Sequence, residues 1–293
     1  MKLVYLGSPE AAVEPLRALV SAGHDVRLVV SQPDRRRGRG STLVPSPVKS
    51  AALELGVPVT DDANQVVEAV QTGAELGVVV AYGALIRKPL LAAMPFVNLH
   101  FSLLPRWRGA APVERAILAG DHETGVCLMG LEAGLDTGPV FDRVVTAIAD
   151  NDDLASLRAR LVGLGTELLI RRLSGGFATL GTAHPQLGES TYAAKIDPSE
   201  LAIDWSSGAV ELDRLIRLGS AWTTFRSRRM KILRARVGAD PTSKPPGTID
   251  GMYVHTGVGL VELVLVQPEG KAPMGARAWR NGAQPGSDEL LGR

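Results

Sequence analysis

Hydrophobic and polar positions follow two alternating periodicities along the amino-terminal part of the chain. Apolar residues spaced at helical intervals predict helices at 10–22 and 46–55. Between and after them, short apolar runs predict strands at 2–6, 25–31, 76–81 and 96–100. The run at 76–81 is apolar throughout, as expected when a strand is covered on both faces. This order predicts an α/β fold with a doubly wound, mostly parallel, Rossmann-like sheet, whose ligands lie beyond the carboxyl ends of the strands.

Two stretches break the pattern. Residues 32–49 are rich in Arg, Gly, Ser and Pro, which predicts a long mobile loop after the second strand. Residues 181–197 lack periodicity and predict a linker. After Trp205, a helix at 209–218 is followed by closely spaced short strands, which predict a small OB-like β-barrel. We therefore expect a catalytic domain at 1–182, a linker at 183–204 and a second domain at 205–293.

The composition indicates the general class of protein but not a particular function. The chain has 293 residues, 45% of them hydrophobic, and a formal net charge of +1, which is ordinary for a globular enzyme. Its single cysteine, Cys127, excludes an internal disulfide and a zinc site built from several thiolates. No apolar run is long enough to cross a bilayer, and the amino terminus lacks a signal-peptide pattern. We expect a cytoplasmic monomer without membrane contact.

Candidate chemistry concentrates in two short segments. Asn98 and His100 are two apart on a predicted strand, so their side chains share a face. Asp136 lies in a turn bracketed by glycines, in the segment GLDTG. An amide that can stabilise an oxyanion, a histidine that can carry a proton and a carboxylate that can orient it suit acyl transfer to an amine. Each residue alone also fits a structural role, as a turn cap or a buried histidine.

Positive charge marks two further segments. The loop at 32–49 carries Arg35, Arg36, Arg37 and Arg39, which suit a phosphate-contacting arm or a solvated charge run. Residues 214–236 contain eight Lys or Arg and no Asp or Glu, with Trp222 and Phe225 among them. A basic stretch on a small barrel favours nucleic-acid binding, although we expect both aromatic side chains to lie mostly in the core.

The pairing of VNLHFSLLPRWRGAAP at 97–112 with GLDTG at 134–138 resembles the folate-dependent formyltransferase family. Further similar segments are GSPEAA, QPDRRRGRG with PSPVK, VVVAYG, TYAAKID with IDW, and PPGTI with LVQPEGK. The resemblance covers most of the chain. It implies transfer of a formyl group from 10-formyltetrahydrofolate to the free amino group of methionyl initiator tRNA, for translation initiation, and it implies no metal.

The resemblance also implies roles for individual residues. Asn98 would hydrogen-bond the formyl oxygen, His100 would assist proton transfer, and Asp136 would hold and charge-balance His100. The implied reduced-folate contacts are Ser102, Leu103, Leu104 and Pro105, with backbone near Ala81, Tyr82 and Gly83. The implied tRNA contact in the arginine loop is Arg39. We extend this expectation to the neighbouring arginines and to the basic stretch, giving Arg35, Arg36, Arg37, Arg39, Arg226, Arg228, Arg229 and Lys231.

Other functions are weighed against this one. Formylation of an amino-sugar nucleotide would use similar catalytic residues, but it would not need a basic loop and a basic barrel. Hydrolysis of formyl-folate is associated with an additional amino-terminal domain. A non-catalytic RNA-binding protein would not need Asn98, His100 and Asp136. A dinucleotide oxidoreductase is disfavoured because Gly7-Ser8-Pro9-Glu10 departs from the G-x-G-x-x-G loop.

Overall fold

The computed structural model describes residues 1–36, 43–239, 244–286 and 289–292. The chain divides into two compact units. The first comprises Met1–Pro112, Glu123–Ala147 and Arg158–Ala194, and the second comprises Val113–His122, Ile148–Leu157 and Lys195–Arg293. Two short segments from the middle of the chain thus group with its carboxyl-terminal part. The predicted domain boundaries at 182 and 204 stay predictions.

Strands and helices alternate through the first two thirds of the chain. In order they are β1 (Lys2–Gly7), α1 (Val13–Ser21), β2 (Asp25–Val30), β3 (Arg35–Arg36), β4 (Leu43–Val44), α2 (Pro47–Glu54), β5 (Val59–Thr60), α3 (Val66–Gln71), β6 (Leu76–Val80), α4 (Lys88–Ala93), β7 (Phe96–His100), β8 (Arg108–Gly109), α5 (Pro112–Ala119), β9 (Glu123–Gly130), β10 (Val140–Ala147), α6 (Leu154–Leu173), α7 (Phe177–Leu180) and β11 (Tyr192–Ala193).

The remainder of the chain is mostly antiparallel strand between two helices. In order the elements are α8 (Ala209–Ile216), β12 (Trp222–Phe225), β13 (Arg228–Gly238), β14 (Ile249–Asp250), β15 (Tyr253–His255), β16 (Leu260–Pro268), β17 (Met274–Gly275) and α9 (Ala276–Ala283). Short 3-10 helices lie at Glu10–Ala12, Ala63–Gln65 and Pro198–Leu201. None of the helices in the described residues is long and apolar enough to cross a membrane.

The sheet of the first unit has the strand order β10-β9-β7-β6-β1-β2-β5. Five neighbouring strands are parallel, namely β7, β6, β1, β2 and β5. Strands β9 and β10 run antiparallel at one edge. The chain first extends the sheet to one side of β1 and then to the other, which makes the gap between β1 and β6 a topological switch point. The predicted doubly wound, mostly parallel sheet is confirmed; strands β9 and β10 lay outside the sequence prediction.

Burial of apolar side chains holds this sheet together. All five residues of β6 and of β7 are buried, and α1 buries Leu16 and Leu19 completely. Burying one such side chain contributes about 1.5–3 kcal/mol. The register is locked where β6 meets β7, since a Cβ on Gly77 would lie 2.1 Å from the Phe96 ring. This packing fixes where the carboxyl end of β7 emerges.

Two predictions about irregular segments differ from the structure. In the described part of the predicted loop, Arg35 and Arg36 pair with Leu43 and Val44 in a short antiparallel ladder. The predicted linker contains β11, which pairs in parallel with β8. Neither segment shows strand periodicity in the sequence because a ladder of two residues is too short to display it.

The second unit is built on a six-stranded antiparallel sheet. Its order is β12-β13-β16-β15-β14, with β17 paired to β16. The helix α8 buries Ala209, Leu212 and Ile216 in a core shared with Met230 and Ile232 of β13. The predicted second domain of closely spaced strands is therefore confirmed, and the structure shows that they form an antiparallel sheet; closure into an OB-like barrel stays a prediction.

Candidate active site

Asn98 and His100 lie at the carboxyl end of β7, in the middle of the sheet. Asn98 is 8% exposed and His100 is 5% exposed. The strand lies between parallel β6 and antiparallel β9, where Asn98 pairs with Val79 and with Met129. The Asn98 carboxamide has no hydrogen-bond partner among the described residues, so its donors are available to a ligand. The strand ladder thus fixes the backbone from which this carboxamide projects before any ligand binds.

The imidazole of His100 has one defined tautomer. Its Nε2 is 2.8 Å from the backbone oxygen of Trp107. A carbonyl oxygen only accepts, so Nε2 carries the proton and donates it to this bond. In the neutral ring, Nδ1 then holds a lone pair. Nδ1 lies 3.6 Å from Oδ2 of Asp136, a separation that becomes an ion pair when Nδ1 takes up a proton.

The carboxylate of Asp136 is held by backbone on a strained turn. Asp136 has φ 51°, in the left-handed region that costs a non-glycine residue free energy. The backbone N–H of Gly109 donates to Oδ2 over 2.8 Å, which anchors the carboxylate beside His100. The turn requires Gly138, since a Cβ there would lie 1.9 Å from the Gly130 oxygen. The turn closes so tightly that the position of Asp136 is set by backbone contacts.

The loop after β7 folds back beneath the site. Ser102 is fully buried, and its hydroxyl donates to the Arg106 oxygen over 2.6 Å. Leu104 belongs to a buried cluster with Cys127 and Met129, and Leu103 packs close to Gly125 of β9. The side chains of the predicted folate-contact segment 102–104 therefore pack within the protein and shape the wall behind His100.

The carboxyl ends of β1, β2 and β6 are joined by one hydroxyl. Ser8 donates to the Tyr82 oxygen over 3.0 Å and accepts from the Gln32 backbone N–H over 3.1 Å. Ala81 and Gly83 flank Tyr82 with φ 46° and 81°, and both are exposed. The predicted segment 81–83 thus forms a turn at the switch point, next to the strand that carries Asn98 and His100. Ser8 was not predicted, although it follows the first strand of a doubly wound sheet, where ligand-binding turns occur.

Three further residues of this site also lay outside the sequence prediction. Trp107 accepts from His100 while its own N–H donates to Oγ1 of Thr191 over 2.9 Å. Gln186 donates to the oxygens of Asp136 and Gly138, each over 2.8 Å. Thr191 and Gln186 come from the predicted linker. Thr191 begins the segment TYAAKID, which could have drawn attention to it, whereas no periodicity or motif marks Gln186.

Similarity to known proteins covers the chain from end to end. The family model of formyl transferase matches residues 1–173, and the model of the formyl transferase C-terminal domain matches residues 195–284. This chain belongs to the formyltransferase family. It is 43% identical over 297 residues to methionyl-tRNA formyltransferase of Methylococcus capsulatus, covering 96% of each chain. It is 42% identical over 298 residues to the enzyme of that name from Clavibacter sepedonicus, covering 96% of this chain and 97% of the relative.

Solved structures share the fold of this formyltransferase at low sequence identity. An N-formyltransferase from Helicobacter canadensis, solved with folinic acid and dTDP-3-aminofucose, has a TM-score of 0.69 at 17% identity, over 90% of this chain and 99% of that one. HypX from Aquifex aeolicus, in complex with tetrahydrofolic acid, has a TM-score of 0.68 at 14% identity over 98% of this chain. The match spans 48% of HypX, so it concerns about half of that protein.

The arginine loop of this formyltransferase is described only in part. Arg35 and Arg36 lie on β3 with exposed side chains. The predicted contacts Arg37 and Arg39 lie outside the described residues. At the end of the loop, Lys49 donates to both carboxylate oxygens of Asp34, over 2.8 and 2.9 Å. The loop thus begins and ends at an ion pair that ties its two ends together.

The basic stretch of the second unit lies on β12, β13 and the turn between them. The guanidinium of Arg229 lies 4.1 Å from the Trp222 ring centre, and that of Arg226 lies 4.8 Å from the ring of Phe225. Phe225 packs edge-on against Trp279 at 5.2 Å. Both aromatic rings of the stretch are half-buried, and their exposed faces are covered by arginines. Stacking of this kind stiffens the guanidinium groups while leaving their donors available.

The four basic residues predicted to contact tRNA in this stretch are not equivalent. Arg226 forms a two-pronged ion pair with Glu289, over 2.5 and 2.7 Å. The pair holds the pKa of Glu289 at about 2, mainly through the hydrogen bond from Arg226. Arg228 and Arg229 are exposed, and Lys231 is half-buried. Glu289 therefore competes with any phosphate for Arg226, and the structure separates this residue from its basic neighbours.

Proposed function

We propose that this formyltransferase moves a formyl group from 10-formyltetrahydrofolate to the free amino group of methionyl initiator tRNA, for translation initiation. The observation that carries the proposal is the arrangement of His100, whose Nδ1 faces the Asp136 carboxylate while Nε2 is fixed by Trp107. Beside it stands Asn98 with free carboxamide donors. Two curated relatives at 42–43% identity, matched over nearly their whole length, are methionyl-tRNA formyltransferases.

The reduced folate is a co-substrate, and we propose the turn at 81–83 and the loop at 102–105 as its borders. Both segments lie at the carboxyl ends of neighbouring strands β6 and β7. The turn at Ala81 and Gly83 exposes backbone donors and acceptors of the kind that a pterin ring recognises, and the buried leucines behind it supply an apolar wall. Bound there, the folate supplies an activated formyl carbon and a nitrogen leaving group, so the proposed reaction requires no metal.

His100 and Asp136 handle the proton in this proposal. The attacking α-amino group has an ordinary pKa of about 7.7–8.0, so a useful fraction is already neutral at pH 7. As its nitrogen forms the new C–N bond, His100 Nδ1 takes up the proton that the nitrogen must lose. The imidazolium then faces the Asp136 carboxylate 3.6 Å away, which stabilises the charge without moving the ring. The same proton passes to the departing nitrogen as the old C–N bond breaks.

Asn98 stabilises the negative charge that develops on the formyl oxygen. Its carboxamide donates an N–H to that oxygen from a buried strand, where a fixed dipole is worth more than in water. One such donor contributes roughly 3–4 kcal/mol to the transition state. Positioning two reactants against each other contributes up to about 7–11 kcal/mol.

A tRNA acceptor is proposed because exposed positive charge lies on both units of the protein. Exposed Arg35 and Arg36 in the first unit, and Arg228 and Arg229 in the second, present basic groups that a sugar nucleotide of modest charge would not require. A tRNA carries a phosphate at each nucleotide, and its affinity for such surfaces comes largely from counterion release. We include Arg37, Arg39 and Lys231 in the proposed contacts on the basis of the sequence.

A transfer assay tests the proposal directly. Purified enzyme is incubated with 10-formyltetrahydrofolate and methionine-charged initiator tRNA, with methionine-charged elongator tRNA alongside. Formylation of the initiator form alone is expected. Equal formylation of both tRNAs would contradict initiator selectivity. Failure with both, together with formylation of an amino-sugar nucleotide, would replace the proposed acceptor.

A further inference from the structure

Gln186 joins the Asp136 turn to the strand that follows the His100 loop. Its side-chain nitrogen donates to two backbone oxygens of the turn, those of Asp136 and Gly138, each over 2.8 Å. Its side-chain oxygen accepts from Nε and Nη2 of Arg108, over 3.0 and 2.7 Å. The carboxamide of Gln186 thus makes four hydrogen bonds, all within the first unit.

The geometry of this contact matters because the turn is strained. Asp136 has φ 51°, in the left-handed region, which costs an aspartate free energy although aspartate tolerates this region better than most non-glycine residues. The two bonds from Gln186 fix the carbonyls on either side of Thr137, so they restrain both ends of the strained segment. Arg108 is charged, and its two bonds to the carboxamide oxygen polarise the group and strengthen the N–H donors opposite.

Arg108, the partner of Gln186, lies beside Gly109, which anchors the Asp136 carboxylate. Arg108 immediately precedes Gly109, whose N–H donates to Asp136 Oδ2 over 2.8 Å. The backbone of Arg108 is itself held by Thr191, since its N–H donates to the Thr191 oxygen over 2.9 Å. The carboxylate of Asp136 and the backbone of its turn are thereby tied to the same two-residue strand, β8.

We infer that Gln186 is a positioning residue for catalysis, which holds the Asp136 carboxylate at its distance from His100 Nδ1. The inference rests on the proposed function for its kinetic consequence. Gln186 contacts neither His100 nor Asn98 by hydrogen bond, so its effect on formyl transfer passes through Asp136. Loss of the two hydrogen bonds from Gln186 lets the turn relax and lets the carboxylate move away from His100. Misplacement of a catalytic group by about 1 Å costs up to ~100-fold in rate.

Hydrogen exchange tests the positional part without any substrate. Gln186→Glu keeps the shape of the side chain and removes the N–H donors, and Gln71→Ala, an exposed glutamine at the end of α3, serves as control. Exchange of the Gly109 amide, followed by NMR, is expected to rise by about tenfold or more in Gln186→Glu and to stay unchanged in the control. An unchanged Gly109 amide in a variant that melts like the wild type overturns the inference.

A double-mutant cycle tests the catalytic part. Gln186→Glu and Gln186→Ala are expected to lower kcat by ~10- to 100-fold with little change in KM for either substrate. In an Asp136→Asn background, the same substitutions are expected to have little further effect, because they act on a group already removed. A full additional loss in that background overturns the inference. Inactivity of the wild type toward methionyl initiator tRNA counts against the proposed function alone, and Gly109 exchange then decides the inference.

Discussion

The candidate active site and the basic stretch on β12 and β13 use polar groups in opposite ways. At the active site, His100 and Asp136 each have a backbone partner that sets their position: His100 has the Trp107 oxygen, and Asp136 has the Gly109 N–H. On the basic stretch, side chains rest on aromatic rings or pair with an exposed carboxylate. The side chains of His100 and Asp136 are 6% and 13% exposed, while the arginines of the stretch on β12 and β13 are exposed.

The difference suits the role proposed for each region. A proton transfer requires atoms placed within tenths of an ångström, and only short bonds to a rigid backbone provide that. A phosphate chain is bound largely through charge, which acts over several ångströms and tolerates side-chain motion. Substitutions should therefore act sharply and locally in the first region, and gradually and additively in the second.

The largest effect is expected from the catalytic pair. His100→Ala or Asp136→Ala should reduce kcat by ~10²- to 10⁴-fold, because each removes proton transfer or its charge stabilisation. Initiator tRNA binding, measured by filter retention, should stay near the wild-type level. His122→Ala is the matched control, since this exposed histidine is not part of the proposed machinery. Wild-type turnover in both variants would remove the proposed mechanism.

Asn98→Ala is expected to have the next largest effect, a loss of roughly 10²- to 10³-fold in kcat from removal of a single oxyanion donor. Asn98→Asp keeps the size of the side chain but places an acceptor where a donor is required, so it should be at least as damaging. Single-turnover kinetics with bound folate separates this effect from folate affinity. A change confined to KM would assign Asn98 to ground-state binding and contradict the oxyanion role.

The basic stretch should give smaller and graded effects. Arg228→Ala and Arg229→Ala should each weaken tRNA binding and reduce the slope of log K against log salt by about 1, as expected for one phosphate contact. Arg226→Ala should weaken tRNA binding less, because the Arg226 guanidinium is already paired with Glu289. Glu289→Gln should strengthen binding for the same reason. Equal losses from all three arginines would show that the Arg226–Glu289 pair does not persist in solution.

The last prediction concerns the reactivity of Cys127, which pairs with His100 across β9 and β7. Burial raises the pKa of this thiol to about 11. A raised thiol pKa favours the neutral form, so at pH 8 only about one thiol in a thousand is ionised. Native enzyme should react slowly with a thiol reagent and rapidly once unfolded. Fast labelling of native protein at pH 8 would indicate that the wall behind His100 opens.

Much of the fold was predictable because buried parallel strands leave a plain pattern. The apolar runs at β1, β2, β6 and β7 matched the observed strands to within one residue at either end. Strands β9 and β10 were both missed. The exposed and half-buried residues of β10 leave no continuous apolar run, whereas β9 carries the buried apolar run 126–129, which was not assigned as a strand. The pairing of β10 with β9 comes from the tertiary structure, which supplies a neighbouring edge.

Strand periodicity and local motifs suffice to predict the doubly wound sheet and the face shared by Asn98 and His100, because both are properties of neighbouring residues. The hydrogen bond by which Trp107 fixes the His100 tautomer and those from Gln186 to the Asp136 turn are visible only in the folded chain. The same is true of the ion pair between Glu289 and Arg226. These contacts join residues that are far apart in the chain or that belong to irregular backbone. Their hydrogen bonds exist only after burial of the apolar strands has brought the partners together.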